Sequence, residues 1–515
     1  MSENKELEIL RAAVDESEKR MGERIVQSPD VQKIIAIVES FLRKRQLVCY
    51  GGTAINNILP ETEQFYNKDI EIPDYDFFSP DAVNHAKALA DMYHRAGYSD
   101  VEAKSGVHHG TYKVYVNYIA VADITYLVPE LFKAISKESK LIHGIKYAPP
   151  NYLRMAMYLE LSRPDGDVSR WEKVLKRLTL LNKFYPMRNP RCETIQFQRD
   201  FEAKMDWERK LERQEIYYHL RDFLIERNVV FFGGYASLLY GRHMPHERRR
   251  RLKQIPDFDV LSENAEETAK YVHQRLIDNG YPNVITKKDS IGEIVPVHYM
   301  ISANNQPVCF IYEPIACHSY NTITISKKEV RVATIDTMLS FYLAFIYVNR
   351  PYYDADRLLC MAQYLLHVQS KNRFSQKGVL KRFSIDCYGS QQTLEQIRAS
   401  KNKKYNELKG QRKSKEFEEY FLRYIPGKTR TATQSKSRVK QGKSRAKQGK
   451  RKATQGKATQ GKCKATQGKA TQGKRKATQG KATQGKRKAT QGKATQGKRR
   501  ATQGKRRATQ GKRKL

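Results

Sequence analysis

The stretch IPDYDFFSP, Ile72 to Pro80, returns 183 residues later as IPDFDVLS, Ile255 to Ser262, and each places two aspartates one residue apart. In an extended chain successive side chains point to opposite faces, so Asp74 and Asp76 share one face while Tyr75 and Phe77 share the other. Two carboxylates roughly 4 Å apart repel by about 4 kcal/mol at an effective dielectric near 20. Either a cation offsets that repulsion or solvent does.

Working outward, the two stretches sit in two copies of one pattern. IVESFLRKRQLVCYGGTAINNILP precedes the first, and LRDFLIERNVVFFGGYASLLYGRHMP precedes the second, so Gly51 and Gly52 answer to Gly233 and Gly234. Asp74 and Asp76 answer to Asp257 and Asp259, and further on Pro164 answers to Pro351. Landmarks that recur in the same order indicate duplication. Each copy predicts an amphipathic helix (31–45 and 212–228), then a short apolar strand, LVCY or VVFF, and a Gly-Gly turn opening a second helix. The Asp-x-Asp strand follows, then a helix capped by Ser79 or Ser262. A pair of alternating strands comes next, with the second copy's NNQ (304–306) as a hairpin turn, and a helix closes the copy. The class is α+β: two tandem units with helical segments. The expected division is an N-terminal helical arm (1–30), a first domain (31–187), a second (188–427) and a tail (428–515).

That tail carries 32 of the chain's 95 Lys and Arg and no Asp or Glu, so the rest holds only +8 of the net +40. Degenerate KATQGK repeats cannot bury enough apolar surface to offset their conformational entropy, and they read as disordered. They are either a solvated appendage or a sequence-independent grip on RNA through counterion release. The seven cysteines never form a CxxC pattern, which argues against a zinc ribbon or a disulfide framework and for a reducing compartment. With no apolar run of about 18 residues, a soluble protein is expected.

The chemistry concentrates in the first copy. Glycines after a buried strand let the chain turn tightly, and the helix that follows offers amides to a phosphate. Gly51 and Gly52, with Thr53 as a hydroxyl donor and Asn56 a turn further on, are the candidate nucleotide-binding residues. In AVADITYLV, Asp123 alternates with apolar neighbours on a strand expected beside the Asp-x-Asp strand. Asp74, Asp76 and Asp123 would then form an oxygen cage for hard cations, magnesium by default, suited to two-metal phosphoryl transfer. In the second copy Cys309 aligns with Asp123, so that copy is expected to keep the scaffold and lose catalysis.

Cationic candidates for RNA are Arg248, Arg249, Arg250 and Arg251, immediately before the second Asp-x-Asp, and a helical face carrying Arg170, Lys173, Lys176 and Arg177. Both also suit solvated surface. His108 and His109 are expected in a turn or at an edge.

The GGT turn, the DYD strand and a later single Asp resemble the nucleotidyltransferase superfamily related to DNA polymerase β. More closely, YGGTAINNILP, IPDYDFFS, VADITYLV and YLELSRPDGDVSRWEKVLKRLTLLNKFYP resemble the poly(A) polymerase catalytic subunits of giant, mimivirus-like viruses, and distantly the poxvirus enzyme, over roughly residues 30–425. This resemblance implies two polymerase β-like palms, the second degenerate. It makes Asp74, Asp76 and Asp123 the catalytic, metal-holding carboxylates and Gly51, Gly52 and Thr53 the triphosphate turn. It implies Mg2+ or Mn2+, ATP as substrate, a single-stranded RNA 3′ end as acceptor, mRNA polyadenylation, a homodimer, and a virion or host-cytoplasmic setting without membrane. Another base specificity, or a non-catalytic RNA-binding role, is the alternative.

Overall fold

A computed structural model describes residues 2–67, 69–195, 197, 207–244, 249, 252 and 255–428. The repetitive tail, and with it the expectation of disorder there, lies outside the described residues.

The first sheet is built from β1 (Val48–Cys49), β2 (Tyr75–Ser79), β3 (Val101–Ser105), β4 (Thr111–Val116), β5 (Ile119–Tyr126), β6 (Lys140–Ile142) and β7 (Ile145–Tyr147). The second holds β8 (Val230–Phe232), β9 (Phe258–Leu261), β10 (Asn283–Lys288), β11 (His298–Ala303), β12 (Gln306–Tyr312), β13 (His318–Ile325), β14 (Lys328–Ala333) and β15 (Cys387–Tyr388). A last strand, β16 (Arg423–Tyr424), returns to the first sheet. Both sheets have eight strands, ordered β16-β3-β4-β5-β2-β1-β7-β6 and β10-β11-β12-β9-β8-β14-β13-β15. Seven strands correspond in order, β3-β4-β5-β2-β1-β7-β6 with β10-β11-β12-β9-β8-β14-β13, while the eighth lies at opposite ends, β16 beside β3 and β15 beside β13. Corresponding pairs keep their orientation, β2 parallel to β5 and β9 to β12, β1 antiparallel to β2 and β8 to β9. The duplication read in the sequence is a duplication of topology, and the α+β class holds.

Fourteen described helices surround the sheets: α1 (Ser2–Val26), α2 (Pro29–Arg45), α3 (Gly51–Ile58), α4 (Ala82–Arg95), α5 (Pro129–Glu138), α6 (Pro150–Leu161), α7 (Trp171–Phe184), α8 (Trp207–Glu226), α9 (Gly233–Gly241), α10 (Ala265–Asp278), α11 (Ile335–Phe345), α12 (Ala355–Lys371), α13 (Leu394–Leu408) and α14 (Lys415–Phe421). Val31, Ile34, Val38, Phe41 and Leu42 put the apolar stripe of α2 into the core, at the spacing the sequence predicts. The closing helices of the two copies, α6 and α11, pack on each other, and the Tyr152 and Tyr347 rings meet edge to face at 5.5 Å. Nearby, Asp336 is buried and accepts hydrogen bonds from Arg382 Nε and Nη2 at 2.8–3.1 Å, a charge held inside by a two-pronged partner.

Several local expectations change. Ser79 and Ser262 are not helix caps, because α4 and α10 start later, after Asp81 and Asn264. Ser79 instead bonds His85 and the Asp81 amide, and Ser262 bonds Thr268. The NNQ turn is as expected, with Asn304 and Asn305 at φ +51 and +60° between β11 and β12. His108 and His109 do lie in a turn, between β3 and β4, where His109 stacks on Tyr420 at 4.0 Å.

The end of the second expected domain is redrawn. Within the expected range 188–427, the chain from α13 onward returns to the first sheet: β16 pairs with β3, Tyr112 donates to the Glu419 carbonyl, and Tyr424 donates to Asp91. Local composition gives no sign of that return. The cysteine reading is also corrected, since disulfides join Cys192 to Cys360 and Cys317 to Cys387, each with Cα atoms 5.2 Å apart. Sequence separations of 168 and 70 residues hide both pairs from any spacing rule. Among the described residues no helix is long and apolar enough to cross a membrane.

Candidate active site

The site starts at a tight turn. Gly51 has φ +71°, and a Cβ there would stand 2.7 Å from Asp76 Oδ2, so only glycine admits this approach of α3 to the β2 carboxylate. The turn is stitched to the Asp-x-Asp strand by Tyr50 N to Asp76 O (2.9 Å) and by the Thr53 hydroxyl to Asp74 O (2.6 Å). Thr53 therefore fixes the strand to the helix. Asn56, expected among the nucleotide-binding residues, is buried, and its Oδ1 accepts from the Phe65 and Tyr66 amides at 2.8 and 2.9 Å. It shapes the loop that lies against the turn.

β2 and β5 run parallel with Asp76 directly paired to Asp123. Asp74 stands just before β2 on the same alternation, which sets it on the Asp76 face of the strand, within electrostatic reach of Asp76 and Asp123. Their electrostatics reflect it. Burial, then the charges of Asp74 and Asp123, push the Asp76 carboxyl up to about 7, and burial with Asp123 raises Asp74. Lys113 meets the cluster from β4, where it pairs across the sheet with Asp123, and its ammonium touches the Asp123 carboxylate. Burial works against the Lys113 charge, but the Asp123 hydrogen bond and charge outweigh it and raise its pKa. Sequence reasoning missed Lys113. The alternation of KVYV was visible, but a bulge between Val114 and Tyr115 sets which residue faces Asp123.

The cationic face of α7 divides. Lys176 is spent on Glu172 at the surface, 2.6 Å away, and Lys173 is exposed. Arg177 departs from the predicted face: it is buried with Val174, Leu178 and Leu181, its guanidinium lies 4.6 Å from the Phe65 ring centre, and it donates to Tyr66 Oη at 2.7 Å. Its Nη1 would be 3.0 Å from a Cβ on Gly52, so a fixed positive charge flanks the glycine turn. Arg170 pairs with Glu160 at 3.2 Å, and its charge acts on Asp76, against the carboxylate repulsion. Beside the cluster opens a cavity of about 830 Å³ whose lining includes Thr53, Asn56, Tyr66, Asp74, Tyr147 and Tyr185, a volume suited to a nucleotide-sized ligand.

In the second copy, β9 and β12 set Phe310 opposite Asp259. The Cys309 alignment is thus off by one residue, displaced by an irregularity between β11 and β12, but either way a carboxylate is missing. Aromatic side chains fill the equivalent layer: Phe310, Tyr312 and Phe232 are buried, with His298 stacked on Tyr312 at 4.6 Å. Of the arginine run only Arg249 is described, and it folds back, donating to the Gly241 and Arg242 carbonyls at the end of α9. Arg248, Arg250 and Arg251 lie outside the described residues.

Known proteins share sequence and fold with this chain. Residues 36–167 match the family model of the poly(A) polymerase catalytic subunit. That range holds the turn, all three carboxylates and Lys113. A protein of African swine fever virus (strain Badajoz 1971 Vero-adapted) named as a poly(A) polymerase catalytic subunit is 32% identical over 174 residues, 32% of this chain and 35% of the relative. The match thus spans about a third of that relative's length. One of Acanthamoeba polyphaga mimivirus, named likewise, is 24% identical over 409 residues, 69% of this chain and 67% of the relative. The crystal structure of the Megavirus polyadenylate synthase superposes with a TM-score of 0.69 at 20% identity, covering 85% of this chain and 89% of that one. The resemblance read from the motifs is borne out, and both copies follow the fold of that viral structure.

Proposed function

We propose that this chain is a poly(A) polymerase catalytic subunit that adds adenylates from ATP to the 3′ end of single-stranded RNA without a template. The observation that carries the reading is the parallel pairing of Asp76 with Asp123, with Asp74 alongside, against a glycine turn. Asp74, Asp76 and Asp123 would hold Mg2+ or Mn2+. The chemistry of the donor set suits such ions: three carboxylates act on one another as like charges, and Asp123 already draws the Lys113 ammonium. When bound, divalent ions at such a site supply acidity to the attacking 3′ hydroxyl and charge neutralisation to the departing pyrophosphate.

The rest falls to the chain's own groups. The amides of the glycine turn face the triphosphate, Arg177 supplies positive charge beside it, and Thr53 and Asn56 keep turn, strand and loop in register. Lys113 holds Asp123 in place and balances its charge. The second copy acts as scaffold, its aromatic filling supporting a non-catalytic role. Magnesium and ATP binding, mRNA polyadenylation, a homodimer and a virion or host-cytoplasmic setting are proposed from the motif resemblance alone. A labelled single-stranded RNA incubated with protein, magnesium and each ribonucleoside triphosphate separately tests the reading. Long products with ATP alone support it; preference for another base would change the function, and no extension by folded protein would favour an RNA-binding role.

A further inference from the structure

Away from the carboxylate site, three donor atoms gather where the loop after α6 meets the second sheet: a carboxylate oxygen of Asp165 and the sulfurs of Cys317 and Cys387, all within 4.8 Å of one another. They come from three distant segments. Cys317 is buried just ahead of β13, Cys387 opens β15, and the antiparallel pairing of Ser319 with Cys387 and His318 with Tyr388 brings the two cysteines together. Asp165 is exposed and belongs to the first copy, and its loop is pinned to the second by Ser319 N donating to the Ser162 carbonyl at 2.8 Å.

We propose that Asp165, Cys317 and Cys387 form a binding site for a soft divalent cation of the zinc class, with the disulfide as its oxidised, metal-free form. A Cα separation of 5.2 Å suits a disulfide and also two thiolates sharing one ion. A thiol or phosphine reductant takes the disulfide to two thiols and is itself oxidised by two electrons. The cation then displaces one proton from each thiol, forming two metal–sulfur bonds. Two thiolates and a carboxylate carry three negative charges. His318, next to Cys317, is buried without a hydrogen-bond partner for either ring nitrogen. Among the described residues the three donors leave the fourth position of a tetrahedral ion to water. Because Asp165 and the thiols belong to different copies, the ion ties the second sheet to the loop running to Arg170, whose charge acts on Asp76.

Full-length protein, reduced with a phosphine without oxygen and stripped by a chelator, is titrated with Co2+ and then Zn2+. The expected result is one cobalt per chain with a thiolate-to-cobalt charge-transfer band that zinc abolishes. Cobalt on the catalytic carboxylates gives no such band. Cys317→Ser or Cys387→Ser should remove it, and Asp165→Asn, at an exposed position, should weaken binding at least on the order of tenfold, since even outer-shell losses cost about 10–100-fold. A Cys192→Ser/Cys360→Ser variant should keep it. The proposal is overturned if both thiols titrate as free with no cobalt band, if the band follows the Cys192–Cys360 pair, or if the Cys317–Cys387 disulfide survives the reductant.

Discussion

Asp76 on β2 and Asp123 on β5 stand directly opposite each other across a parallel strand pair, while the equivalent pair in the second sheet is Asp259 and Phe310. One copy thus concentrates negative charge where the other places an aromatic ring. Asp76→Ala should lower the extension rate on the order of a thousandfold or more by removing an oxygen ligand. Asp259→Ala should leave the rate per folded molecule unchanged. Single-turnover extension assays on both variants test this, and equal losses would refute the division of labour between copies.

Gly51→Ala should abolish extension. The left-handed backbone at φ +71° costs about 1–2 kcal/mol for a residue with a Cβ, and the new methyl would press on Asp76 Oδ2. Gly97→Ala is the comparison: φ is +103° but nothing lies within 4 Å of the added carbon, so stability alone should fall. Thermal melts read beside activity separate the two effects.

Arg177→Lys keeps the charge but loses the planar contact with Phe65 and the bond to Tyr66. We expect the KM for ATP to rise about tenfold, roughly 1.4 kcal/mol. Lys176→Ala should change nothing, because Lys176 is occupied by the exposed Glu172. Steady-state kinetics over a range of ATP concentrations decide between them.

Without metal, stability should fall as pH rises from about 4 to 7. The Asp76 carboxyl is raised to about 7 by burial and by Asp74 and Asp123, so in that window the folded state holds a proton that the unfolded chain has released. Its contribution is complete below the unfolded carboxylate range and lost as pH passes about 7. Because a divalent ion competes with that proton, Mn2+ should raise the melting temperature more at about pH 8 than at about pH 5. Asp76→Asn should flatten both trends in a melting series.

Removing residues 428–515 takes away 32 basic residues and no acidic one. Shorter products at physiological salt are expected, with the difference shrinking as salt rises and counterion release weakens. Product lengths that match the full chain at low salt would refute a role in retaining RNA.

The duplication, the two glycine turns, the Asp-x-Asp strands and the candidate carboxylates were legible in the sequence, because each is written in spacings of a few residues that backbone periodicity and sterics translate directly. Even the loss of the third carboxylate in the second copy could be read, one residue out of register. Which side chains meet across the chain was decided only by tertiary structure. A bulge beside Val114 brings Lys113 to Asp123, the loop at Phe65 and Tyr66 turns Arg177 inward, and β16 returns some 320 residues later to β3. The cysteine pairs likewise join segments 70 and 168 residues apart. Such contacts are selected by how whole sheets and helices bury one another, and burial between distant segments leaves no local period to read.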